Sequence, residues 1–208
     1  MKYRVCVDCE TGGLKESESD LLTMYMGVVD ENGKFFDELD LLLKPDDRLP
    51  IAHADALEVT GINIQEHITN PNTITYSQAK EKIVQVLKKY REKGKYSNLT
   101  FFGFNCPFDL KFIYKYIISQ EEFEKLVHYK NTDVMYDIDM LKRKGWLPPT
   151  VGNLSSCVEH FGLPKGKAHN AKEDILMTLE LDKKITELMD AKKAGGQVLD
   201  IIQLLESE

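Results

Sequence analysis

Apolar and polar positions along the chain change period twice. Tyr3 to Asp8 is apolar enough for a strand, and residues 22–30 read as a second. "ENG" at 31–33 signals a hairpin into a third strand, Lys34 to Leu43, so the chain opens as an antiparallel meander. Helical periods follow. "LPIAHADALEVTGI" predicts a short helix closed by Gly61, and "TNPNT" is a loop. Tyr76 to Tyr90 places Ile83, Val84 and Leu87 on one side of a helix. "NLTFFGFN" is a buried strand, and Pro107 starts a helix through Ile118 at the first-turn position that proline tolerates.

Glu121 to Val127 is a helical turn or two, and a fifth strand ends near Asp133 before a helix to Lys144. "KGWLPPTVGN" is a loop, Leu154 to Phe161 a helix, and Gly162 and Pro164 close it. Asn170 opens the last long helix, to about Ala191; "AGG" breaks it, and "QVLDIIQLLESE" is a short amphipathic tail. Three strands, then helices, then alternating strand and helix predict an α/β fold, with a five-stranded mixed sheet and helices on both faces. The expected division is a domain over 1–190 and a tail over 191–208 whose Val198 to Leu205 stretch could pack back, or bind a partner such as a polymerase or a second copy.

Composition narrows this little. A chain of 208 residues with 42% hydrophobic and 29% charged residues can bury one sizeable core. No apolar run approaches the roughly 18 residues of a membrane span, and no basic segment followed by an apolar stretch marks a secretory signal. No membrane partner is expected, and a cytoplasmic location is. The net charge of -7 argues against a protein that coats duplex DNA by neutralising phosphates. Cys6 and Cys9 form a C-x-x-C, but on a strand residues three apart point to opposite faces, so the pair does not chelate one ion. Reduced, buried thiols are expected at Cys6, Cys9, Cys106 and Cys157.

The chemistry lies in four acids. Asp8 and Glu10, two apart at a strand end, share a face, where each raises the pKa of the other and a divalent cation would relieve the repulsion. Taken alone, they could equally be two solvated acids. Asp109 heads a stripe continued by Phe112, Ile113 and Tyr116. Asp174 heads another, continued by Thr178, Leu181, Ile185 and Leu188, on a helix whose Asn170 and Glu173 form a capping-box pattern. Helix dipoles favour acids in a first turn but do not explain acids on the buried side. Two such helices and the strand pair suggest convergence on one point, and His169, in the loop before Asn170, can reach it.

These segments resemble the DEDDh, or DnaQ-like, 3′→5′ exonucleases. "DCETGG" is similar to their D-x-E-T motif, "GFNCPFDLKFI" to N-x-x-F-D and "HNAKEDI" to H-x-A-x-x-D. "ADALEVTGI", "NTDVMYDIDML" (with Val134 where Thr is usual) and "LSSCVEHFGLP" agree, so the resemblance runs over roughly residues 3 to 185. It implies an RNase H-like sheet and a site in which Asp8, Glu10, Asp109 and Asp174 hold two Mg²⁺ or Mn²⁺ ions, with His169 as general base. The bound cations would let an acidic protein grip a polyanion. Thr11, Gly12 and Gly13 are family-like candidates for contacting the terminal nucleotide, and Phe108 and Lys167 are further candidates. Lys165 could meet a phosphate, Asn105 reads as a structural cap, and Asp133 as a helix N-cap that could also support the site.

The activity so implied is release of nucleoside 5′-monophosphates from 3′ ends, with DNA in single-stranded form favoured over RNA or short oligonucleotides. An inactive nucleic-acid-binding or scaffold protein on the same fold should have lost an acid or the histidine, and all five are present. A phosphohydrolase with Asp8 as nucleophile would want D-x-D, which Glu10 does not supply.

Overall fold

The computed structural model describes residues 3–92, 94, 97–166 and 170–193. Three strands open the chain, β1 (Tyr3–Thr11), β2 (Leu21–Val29) and β3 (Phe35–Lys44), followed by helices α1 (Ala54–Thr60) and α2 (Ile64–Thr69). Next come β4 (Thr73–Thr75), α3 (Tyr76–Tyr90), β5 (Leu99–Gly103), α4 (Cys106–Tyr116) and α5 (Gln120–Glu124). Strand β6 (His128–Asp133), α6 (Val134–Arg143), α7 (Leu154–His160) and α8 (Ala171–Lys193) complete the described elements. The six strands make one mixed sheet in the order β4-β3-β2-β1-β5-β6. The meander β1–β2–β3 is antiparallel, whereas β5, β6 and β4 add in parallel.

The sheet has six strands, not the expected five. The extra one, β4, is three residues of Thr-Ile-Thr paired with the end of β3, too short for an alternating pattern to reveal. Helix α2 was likewise unforeseen. Asn63 caps it, its side chain accepting hydrogen bonds from the Gln65 and Glu66 amides.

Both faces of the sheet are covered. On one, Val5, Val7 and Phe101 pack with Ile83 and Leu87 of α3 and Phe112 and Ile113 of α4. On the other, Cys6, Tyr25 and Phe102 pack with Val134, Ile138 and Leu141 of α6 and Ile175, Leu181 and Ile185 of α8. Fully burying each such side chain contributes about 1.5–3 kcal/mol. Cys6 and Cys9 fall in opposite layers, as their spacing requires, and all four cysteines are free and buried. Helix α8 is also pinned beneath β1 by an ion pair, Arg4 Nη1 to Asp182 Oδ2 at 2.5 Å. No described helix is long and apolar enough to cross a membrane.

Candidate active site

Strand β1 stops pairing with β5 at Cys6, so Asp8, Cys9 and Glu10 extend past the parallel half of the sheet. Period-2 geometry turns Asp8 and Glu10 to the face that α8 covers. Helix α8 starts at Ala171, where Asn170 Oδ1 accepts from the Glu173 amide at 3.2 Å, and this start sets Asp174 one turn in. Thr178, Leu181, Ile185 and Leu188 below it are buried, which fixes the helix's rotation. As a result, carboxylate oxygens of Asp8, Glu10 and Asp174 lie within 4.8 Å of one another.

Asp109 reaches the group from the other side. It is 3% exposed in the first turn of α4, outside the 4.8 Å cluster, and hydrogen-bonded by the thiol and backbone of Cys9. Its charge still acts strongly on Asp8. Two hydrogen-bonded segments hold α4 there. The Asp133 carboxylate accepts from the Asn105 amide at 2.8 Å and the Cys106 amide at 2.9 Å, and also from the Met135 amide at 3.0 Å. One carboxylate thus caps α6 and secures the start of α4. Asn105 does precede the helix, but by its backbone: it takes the left-handed conformation (φ 63°), and its side chain makes no capping hydrogen bond.

Electrostatics make the cluster an unfavourable one for bare carboxylates. Burial, and then the charges of Asp109, Asp174 and Glu10, push the Asp8 carboxyl well above its ordinary range. Burial and Asp174 push Glu10 up to about 7. Burial pushes Asp109 up to about 8 despite the hydrogen bonds from Cys9. Closely spaced, partly buried oxygens that repel one another are a hard-oxygen donor set suited to a divalent cation.

Beside the cluster lies a cavity of about 520 Å³, lined by Glu10, Thr11, Gly13, His53, Val59 and Phe108 among others. Of the residues expected to meet a nucleotide, Thr11, Gly13 and Phe108 face it. The Thr11 hydroxyl, however, donates to the Gly13 carbonyl at 2.7 Å. Gly12 is used internally, its amide donating to the Asp20 carbonyl and its carbonyl accepting from the His53 amide. A Cβ on Gly12 would lie 2.4 Å from the Ile51 carbonyl oxygen, so only glycine permits this approach. Lys165 pairs with Glu159 at 3.1 Å. His169 and Lys167 lie outside the described residues, as do residues 194–208 of the expected tail, whose first three residues instead end α8. His53, Asp20 and Arg48 were missed by sequence reasoning; they sit in an aperiodic stretch, and the only signal was an acid, Asp20, directly before an apolar strand.

No protein-family model and no curated protein matches the sequence. Solved structures do share its fold. The zinc-bound form of the E. coli exonuclease I complex with single-stranded DNA superposes with a TM-score of 0.70 at 16% identity, over 98% of this chain and 43% of that one. E. coli exonuclease I with a dT13 oligonucleotide gives 0.68 at 17% identity, over 89% and 41%. Exonuclease I from Methylocaldum szegediense gives 0.64 at 18%, over 90% and 41%. The chain therefore spans less than half the length of these proteins, and what it shares with them throughout is an exonuclease I-like α/β fold.

Proposed function

We propose that this chain is a metal-dependent 3′→5′ exonuclease that acts on single-stranded DNA and releases nucleoside 5′-monophosphates. The observation that carries this reading is the meeting of Asp8, Glu10 and Asp174 within 4.8 Å, beside a nucleotide-sized cavity that Glu10 lines. The motif resemblance and the fold shared with exonuclease I structures bound to DNA support it.

Asp8, Glu10 and Asp174 would hold the cations, with Asp109 completing the set of oxygen donors. Two Mg²⁺ or Mn²⁺ ions, when bound, supply positive charge for the phosphate and an acidified water. The chain's own residues do the rest. His169 takes the proton of the attacking water at an imidazole nitrogen, a task suited to a group that titrates near neutral pH. Phe108 gives the terminal base an apolar wall, and the Thr11–Gly13 turn borders the sugar. Carboxylates that repel one another when bare are the reason cation and substrate bind together: each brings charge the other needs.

The test is digestion of 5′-labelled single-stranded DNA and RNA with Mg²⁺, Mn²⁺ or EDTA. A ladder shortening from the 3′ end on DNA, absent in EDTA and in Asp8→Ala, is the expected result. A ladder on RNA alone would move the substrate to RNA, and none on either polymer would remove the nuclease reading.

A further inference from the structure

The loop that leads to His53, which lines the cavity beside Glu10, has little apolar burial to hold it. Leu49 is 71% exposed and Ile51 50% exposed. What fastens it is polar. Asp20 has a side chain only 1% exposed, and its carboxylate takes both arms of the Arg48 guanidinium, at 2.5 and 2.7 Å. The same carboxylate accepts from the Ile51 amide at 2.6 Å, while the Asp20 amide donates to the Ile51 carbonyl at 2.9 Å. Continuing the chain of bonds, the Gly12 amide donates to the Asp20 carbonyl at 2.8 Å and the His53 amide to the Gly12 carbonyl at 2.7 Å. His53 ends so close to Gly13 that a Cβ there would sit 2.7 Å from its ring.

We infer that Asp20 and Arg48 are positioning residues for substrate: their ion pair locks residues 48–53 onto the Gly12–Gly13 turn and so holds His53 as one wall of the cavity beside Glu10. The inference rests on the exonuclease reading, with the 3′-terminal nucleotide as occupant of the cavity. Neither residue touches the acids, so the pair acts on binding and not on the chemical step. A buried carboxylate with a forked partner suits this role, because the planar guanidinium fixes direction as well as distance.

The experiment compares steady-state kinetics of wild type, Arg48→Lys, Arg48→Gln, His53→Ala and the Arg48→Gln/His53→Ala double variant on a single-stranded oligonucleotide, each checked for folding by circular dichroism. Arg48→Gln should raise KM about tenfold with kcat within about twofold, the pattern of lost binding without lost transition-state contacts. Arg48→Lys, which keeps the charge but not the fork, should fall between and serves if Arg48→Gln does not fold. In the double variant KM should match that of His53→Ala, since the lock has nothing left to position. An unchanged KM in either Arg48 variant, or effects that multiply in the double variant, overturns the inference. An inactive wild type instead overturns the exonuclease reading on which it rests.

Discussion

Glutamine at position 10 should make the metal-free protein more stable while removing a carboxylate from the proposed cation site. Glu10 is 9% exposed, and burial and Asp174 raise its carboxyl from an ordinary 4.5 to about 7. At about 1.36 kcal/mol per pH unit, keeping it ionised in the fold above pH 7 costs about 3 kcal/mol. The sign follows from proton uptake. The folded state holds a proton on Glu10 that the unfolded state has released, so this contribution is fully present below the unfolded pKa and is lost as the pH rises through about 7. Glu10→Gln removes the cost at pH 8 but changes little at pH 5, where the native glutamate is already neutral. For a domain of this size about 3 kcal/mol corresponds to roughly 6–12 °C in Tm. Differential scanning calorimetry in EDTA at both pH values reads it directly. Manganese should then raise the Tm of wild type at pH 8 and that of the variant much less, because one oxygen ligand is gone. A variant no more stable than wild type at pH 8 in EDTA, or stabilised equally at pH 5, would refute the reasoning.

Other outcomes follow from single contacts. Asp174→Asn should leave the fold intact, as a change of one atom at a helix start, yet weaken Mn²⁺ binding by at least tenfold in titration calorimetry, since it removes one of three converging carboxylates. Asp133→Ala should lower stability by about 3–5 kcal/mol in urea unfolding, because three backbone amides lose a charged acceptor at once. Asn105→Ala should cost about 1 kcal/mol more than Asn105→Gly, a difference set by the left-handed backbone and measurable in the same urea series. Acid should loosen the loop at residues 48–53. Burial would raise the Asp20 carboxyl, but Arg48, the Ile51 amide and Tyr116 hold it below the usual range, so its contribution is present above about pH 4 and lost as the pH falls through the depressed value. Hydrogen exchange at the Ile51 and His53 amides reports the release.

Much of this architecture was legible because it is local. The alternation in β1 put Asp8 and Glu10 on one face, and the stripe from Thr178 to Leu188 set the rotation of α8; both survive in the fold. Cys9 shows where locality ends. Reading it as one more buried thiol was correct, but its bond to Asp109 depends on β1 outrunning β5, a matter of sheet register that no window of sequence contains. Asp109 is likewise placed beside the other acids, but through α4 and Asp133, not by the same face of the strand. The Asp20–Arg48 lock spans 28 residues and has no period at all. Strand β4 was missed because three residues cannot show alternation, and it exists only because β3 offers an edge.

Asp174 stands on α8, the final described element, whereas Asp8 and Glu10 stand on β1, the first. During synthesis the chain therefore carries Asp8 and Glu10 well before Asp174, with the α8 side of the sheet uncovered and the cluster of oxygens open. Closure of the acidic cluster and completion of the second hydrophobic layer arrive together when α8 docks, so a polypeptide that stops before α8 would lack both.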